Sequence, residues 1–124
     1  MKEHGEHNFK VCKHLELTHE IECNDWVVTT AFYAAIHFLD SKLFPCTYES
    51  ETFQNIDEAH RSLRKTSKHQ TRGFLIKKKL TEHAGEYEFL LETCHSARYR
   101  NYKIQNEISS RAVRVVSAIR QTCN

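Results

Sequence analysis

Residues 25–44, DWVVTTAFYAAIHFLDSKLF, decide how this chain folds. From Trp26 to Phe44 there is neither Gly nor Pro, enough for about five turns of helix. The apolar residues Val27, Val28, Ala31, Phe32, Ala34, Ala35, Phe38 and Leu39 cover most of the helical circumference. A helix apolar nearly all round is buried on several sides, so this segment is expected to be the central helix of a bundle. Asn24 or Asp25 can cap its start, and Pro45 stops it. One line along the helix differs: Trp26, Thr30, Tyr33, His37 and Asp40 share a face and are aromatic or polar. Such a line either borders a cleft or interface, or consists of core residues whose polar tips find partners inside the bundle.

Reading outward toward the N-terminus, residues 8–22 (NFKVCKHLELTHEIE) place Val11, Leu15, Thr18 and Glu22 at helical spacing, with residues 1–7 expected to be flexible. On the other side, residues 45–56 read as a polar connection before Asp57 and Glu58 open a helix with the charge its N-terminal dipole favours. Residues 60–79 are strongly basic and contain Gly73, which predicts two short helices broken at that glycine. Thr81 is expected to cap a further helix on which Leu80, Ala84, Tyr87, Leu91 and Cys94 form an apolar stripe ending near Ala97. Arg98–Lys103 (RYRNYK) lacks apolar periodicity, and Ile104, Ile108, Ala112, Val115, Ile119 and Cys123 then make a second long stripe. With Gly 3 and Pro 1 in 124 residues, the turns that a β-sandwich or barrel needs are missing. The expected architecture is all-α, a small up-and-down bundle of four to five helices in one domain over residues 1–124.

Composition narrows the chemistry. No stretch reads as a signal peptide or is long and apolar enough to cross a bilayer, which points to a cytoplasmic protein without membrane attachment. Five scattered cysteines without a CxxC pair read as reduced thiols. His4/His7, His14/His19 and Cys94/His95 each offer half a metal site and no more, and neither HExxH nor paired CxxC occurs, so no metal is expected. Nor is there a Gly-rich phosphate loop or a GxSxG elbow, and no cofactor is implied. The formal charge of +2 is too mild to indicate nucleic acid by itself. Its distribution says more. Arg98, Tyr99, Arg100, Asn101, Tyr102 and Lys103 combine guanidinium groups, stackable rings and an amide just ahead of a helix N-terminus, the chemistry of an RNA phosphate site as well as of a solvated turn. Lys77, Lys78 and Lys79 read as a weaker, solvated contribution to any such binding. The excess of apolar surface on the central helix also predicts a homodimer.

Three segments in this order resemble the HEPN superfamily of small helical proteins associated with RNA cleavage and with toxin–antitoxin and defence systems. Trp26, the aromatic pair Phe32–Tyr33 next to Ala34, and His37 resemble its central-helix pattern. His69-Gln-Thr-Arg72 followed by FLIKKKL resembles the His-x-x-Arg segment of an uncharacterised HEPN-like branch, and YEFLLETCHSARY (residues 87–99) its Tyr-x-x-Leu and Ala-Arg-Tyr elements. The resemblance implies a homodimeric RNA- or nucleotide-binding module. Its binding residues would be Arg98, Arg100, Asn101, Tyr102 and Lys103, with Tyr33, His37, His69 and Arg72 nearby. It also implies a partner such as a cognate toxin or antitoxin or a nucleotidyltransferase. The family's nuclease motif is an Arg, a polar residue and, a few positions on, a His at the start of the last helix. Arg100-Asn101 matches the first half, but Gln105, Asn106 and Glu107 stand where the His is expected, and none of them shuttles protons near neutral pH as imidazole does. If the chain is a metal-independent endoribonuclease, Arg100, Arg98 and the displaced imidazole of His95 are its catalytic candidates. Arg64-KTSK-His69 shows similar spacing in a different segment. A third class of function is a pure protein-interaction module acting with a neighbouring gene product.

Overall fold

The structure is a computed structural model that describes residues 2–17 and 23–123. Its described elements in chain order are α1 (Lys2–Leu17), α2 (Asn24–Leu43), β1 (Cys46–Tyr48), β2 (Glu51–Phe53), α3 (Ile56–Leu63), α4 (Lys68–Lys79), α5 (Ala84–Tyr99) and α6 (Asn106–Thr122), with a 3-10 turn at Thr81–His83 between α4 and α5. The chain is mainly helical, as expected, but with more pieces than the four to five helices of the expected bundle: among the described residues there are six α-helices and a small antiparallel hairpin.

As expected, α2 is the axis of the molecule. Helices α1, α5 and α6 pack along it, and Val28, Ala31, Ala34, Ala35 and Leu39 are wholly or almost wholly excluded from solvent. Among the described residues no helix is long and apolar enough to cross a membrane. Because one chain already covers the apolar faces of α2, the surface-area argument for a homodimer falls. The large apolar side chains that α2 leaves exposed are Trp26 and Tyr33, on the mixed line read from the sequence.

Five local expectations are corrected. Residues 2–7, expected to be flexible, form the first turns of α1, where Glu6 accepts from Arg120 Nε at 3.0 Å. Gly5 permits this docking: a Cβ there would stand 2.8 Å from Cε1 of Phe38, so α1 approaches α2 more closely than any other residue would allow. The part of the predicted first helix at residues 18–22 lies outside the described residues. Neither Asn24 nor Asp25 caps α2. The N-cap is Cys23, without a side-chain hydrogen bond, and Asn24 Nδ2 instead donates to Ile104 O at 2.9 Å and Asn106 Oδ1 at 2.8 Å. Residues 45–56 are not only a connection, since Cys46, Thr47 and Tyr48 pair with Phe53, Thr52 and Glu51. The basic stretch breaks at residues 64–67 and not at Gly73. Arg64 takes a left-handed φ of 53° at the end of α3, and Ser67 caps α4 by accepting from Gln70 N. Helix α4 continues through Gly73, which leaves room for the Tyr87 ring. Thr81 donates its hydroxyl to Lys77 O, while α5 starts at Ala84 and runs two residues past Ala97 to Tyr99.

Candidate nucleic-acid interface

The longer α5 matters for the site, because His95, Arg98 and Tyr99 all stand on regular helix. Residues three and four apart on a helix are neighbours. Accordingly, the rings of His95 and Tyr99 lie 5.0 Å apart. Across from them, α2 contributes Tyr33 and Trp26, with the Arg98 guanidinium 5.3 Å from the Trp26 ring centroid. Together with His69 of α4 and Leu91, the residues Tyr33, His95, Arg98 and Tyr99 line a pocket of ≈ 120 Å³. Residues from three helices that the sequence places far apart thus converge. Among the described residues the large apolar side chains left exposed are Leu17, Trp26, Tyr33, Tyr99 and Tyr102, so all but one are aromatic rings at or beside this pocket or on the loop that follows α5.

Under the pocket lies a buried polar network. Arg72 and Asp40, 5% and 4% exposed, form a two-pronged ion pair, Nε to Oδ1 at 2.7 Å and NH2 to Oδ2 at 2.9 Å. Expected to help bind RNA, Arg72 is instead spent on the core. Its remaining NH1 reaches Nδ1 of His69 at 3.3 Å, and the Tyr87 hydroxyl donates to His69 O at 2.9 Å. A guanidinium is only a donor, so Nδ1 must accept and the His69 proton sits on Nε2. Burial first, and then the Arg72 charge, hold the His69 pKa below the ordinary imidazole value, with Asp40 opposing. His37 is lowered too, by burial and by His4, whose ring lies 5.1 Å away in the segment expected to be flexible. The Cys94 thiol, also in the pocket, is pushed up by burial and stays protonated at neutral pH, which disfavours it as a nucleophile.

These two histidines set a pH dependence. In the unfolded chain they take up protons near pH 6.5, whereas in the folded chain they do so only at lower pH. Stability is therefore expected to be complete above pH 6.5 and to decline as pH falls below it toward the lowered values. Urea denaturation midpoints at pH 7.5, 6.5 and 5.5, in the intact chain and in His69→Gln, measure this; a variant whose decline matches the parent's would remove His69 from the account.

The remaining expected site residues fall outside the pocket. Arg100 is exposed and paired with Glu92, and Tyr102 projects into solvent. Asn101 Oδ1 accepts from Lys103 N at 2.9 Å and so shapes the loop, while Lys103 borders a separate shallow hollow with Ser96, Gln105 and Ile108. His37 lies one turn beyond Tyr33 toward Asp40, against His4. Leu91 was not among the expected site residues; Tyr99 was read as part of the Arg98–Lys103 segment and Trp26 as part of the mixed line of α2, and it is the continuation of α5 that brings them to one surface. No group of three or more His, Cys, Asp or Glu side chains is arranged to hold a metal ion among the described residues. The chain matches no protein-family model, no curated protein and no solved structure.

Proposed function

We propose that this protein is an RNA-binding helical module of HEPN-like kind, working as a homodimer within a toxin–antitoxin or defence system, and that it holds single-stranded RNA on the surface formed by Trp26, Tyr33, His95, Arg98 and Tyr99. The observation that carries this reading is the clustering of exposed rings with an exposed guanidinium on α2 and α5. Rings left in water are costly for a monomer and useful as platforms for bases. Stacking is worth about 1–3 kcal/mol per base and accepts any base, and cations beside the rings attract the backbone. Trp26 is the one tryptophan of the sequence, so its fluorescence reports directly on the surface.

Single-stranded RNA is expected to quench Trp26 fluorescence. Trp26→Ala or Arg98→Ala should weaken binding of a fluorescein-labelled oligonucleotide about five- to a hundredfold. Absence of both quenching and binding would overturn the reading, and a light-scattering mass of one chain with RNA bound would remove the homodimer from it.

A second reading, a metal-independent endoribonuclease, draws on the presence of His69, His95 and Arg98 around one pocket. A neutral imidazole is able to take the proton from a ribose 2′-OH while an arginine stabilises the charge developing on the phosphate. EDTA-insensitive cleavage lost in both His69→Ala and Arg98→Ala would favour it over binding alone.

A further inference from the structure

Beside the described pocket lies a groove of ≈ 780 Å³ between α4 and α5. It adjoins the aromatic pocket, since His69 and Leu91 line both. One wall carries Arg64, Lys65 and Lys77, and the other carries Glu88 and Glu92. The cations of the first wall differ from their neighbours. Lys68 is paired with Asp57 and Arg100 with Glu92, whereas among the described residues Arg64, Lys65 and Lys77 make no ion pair. The Lys65 ammonium stands 4.2 Å from the centroid of the Phe74 ring, itself part of the groove. With Glu92 neutralised by Arg100, Glu88 is the carboxylate that the second wall has to offer.

We infer that a bound RNA strand runs from the aromatic surface across His69 into this groove, with its phosphates on the Arg64, Lys65 and Lys77 wall and a ribose 2′-hydroxyl donating to Glu88. The inference rests on the RNA-binding reading above and adds to it a path, a direction and a sugar preference. A row of unpaired cations at the edge of a groove gains by exchanging small counterions for phosphates. A lone carboxylate on the facing wall repels phosphate and accepts only from a donor. The strand is therefore seated with its backbone toward α3 and α4 and its sugar edge toward α5. A 2′-hydroxyl can donate to Glu88 and deoxyribose cannot, which makes this wall the element that separates RNA from DNA. Short strands fill the aromatic pocket alone, and longer ones also occupy the groove.

The test uses the full chain with labelled oligouridine of three and of ten nucleotides, and with the ten-nucleotide deoxy strand. Arg64→Ala combined with Lys77→Ala should weaken the ten-nucleotide RNA by about tenfold or more and reduce its salt slope by about 1.4, since each phosphate contact on a single strand contributes about 0.7. Binding of the three-nucleotide RNA should be unchanged, and where that strand binds below the range of measurement the slope of the longer one decides. Glu88→Ala should narrow the preference for RNA over DNA. All three substitutions are at exposed positions, and unchanged melting temperatures will verify that the variants fold. If Trp26→Ala and Arg98→Ala weaken the ten-nucleotide RNA while the double variant leaves its affinity and slope intact, the groove is not the path and the inference is overturned with the RNA reading standing. If neither length binds, the RNA reading falls first and takes the groove with it.

Discussion

Arg72→Met is expected to destabilise the protein by about 3–5 kcal/mol, because it strands the Asp40 carboxylate in the core without its partner. Both side chains are almost fully covered and their two hydrogen bonds are short, so water cannot replace the lost donors without opening the junction of α2 and α4. The pair is not expected to be worth that much as a net attraction. Taking two charges out of water costs nearly what their contact returns, so the double variant Asp40→Leu with Arg72→Met should recover most of the loss. Urea denaturation of the parent, the two single variants and the double variant measures the coupling. Single variants as stable as the parent would show that the carboxylate is not held by Arg72. The same substitution removes a positive charge from beside His69, and its imidazole should then titrate at higher pH, a change readable by NMR.

Phe32→Ala should cost about 3–5 kcal/mol through lost burial and the cavity left behind, which corresponds to roughly 10–20 °C in melting temperature for a domain of this size. Phe32 is 1% exposed and joins the core to the site. Its ring centroid lies 5.2 Å from that of His69, 5.6 Å from that of Tyr33 and 6.1 Å from that of Tyr87. The cavity would open directly beneath the pocket. Phe32→Leu fills more of the volume and should lose distinctly less stability. Calorimetric melting of both variants separates the cases, and equal losses would show that the ring's edge contacts, rather than the volume it fills, hold this region together.

The parts of the fold that follow from a single helix's own pattern were legible in the sequence. The near-continuous apolar surface of residues 27–39 marked α2 as the axis, and the stripe from Ile104 to Ile119 marked α6. What escaped depends on partners distant in the chain. Nothing near Gly73 tells that Tyr87 packs over it and needs the space, so a helix breaker by propensity became a helix interior by packing. Nothing near residue 5 tells that Phe38 fills the room left by Gly5, and residues 1–7 looked too polar to belong to the domain. The site was half legible for the same reason. Tyr33 on the mixed line, Arg98 in the basic–aromatic segment, and His69 and His95 through the HEPN resemblance do share a pocket, whereas Arg72, singled out with His69, is claimed by Asp40, a partner that no local spacing reveals. Arg100 was chosen for its guanidinium in the basic–aromatic segment and for its match to the first half of the family's motif, and it is paired with Glu92.

The place of α2 along the chain has a consequence for biosynthesis. The axis helix precedes in the chain two of the three helices packed along it, α5 and α6. During translation, of the three helices packed along it, α2 therefore has α1 alone to shield it at first, and its remaining apolar faces stay open until α5 and α6 have been made. Contacts of such long sequence separation close slowly, and the waiting intermediate is the species most exposed to aggregation and to chaperone capture. Native packing of α2 on the ribosome has to wait for α6, and a chain stopped before α6 would be left with the surface that α6 covers open to solvent.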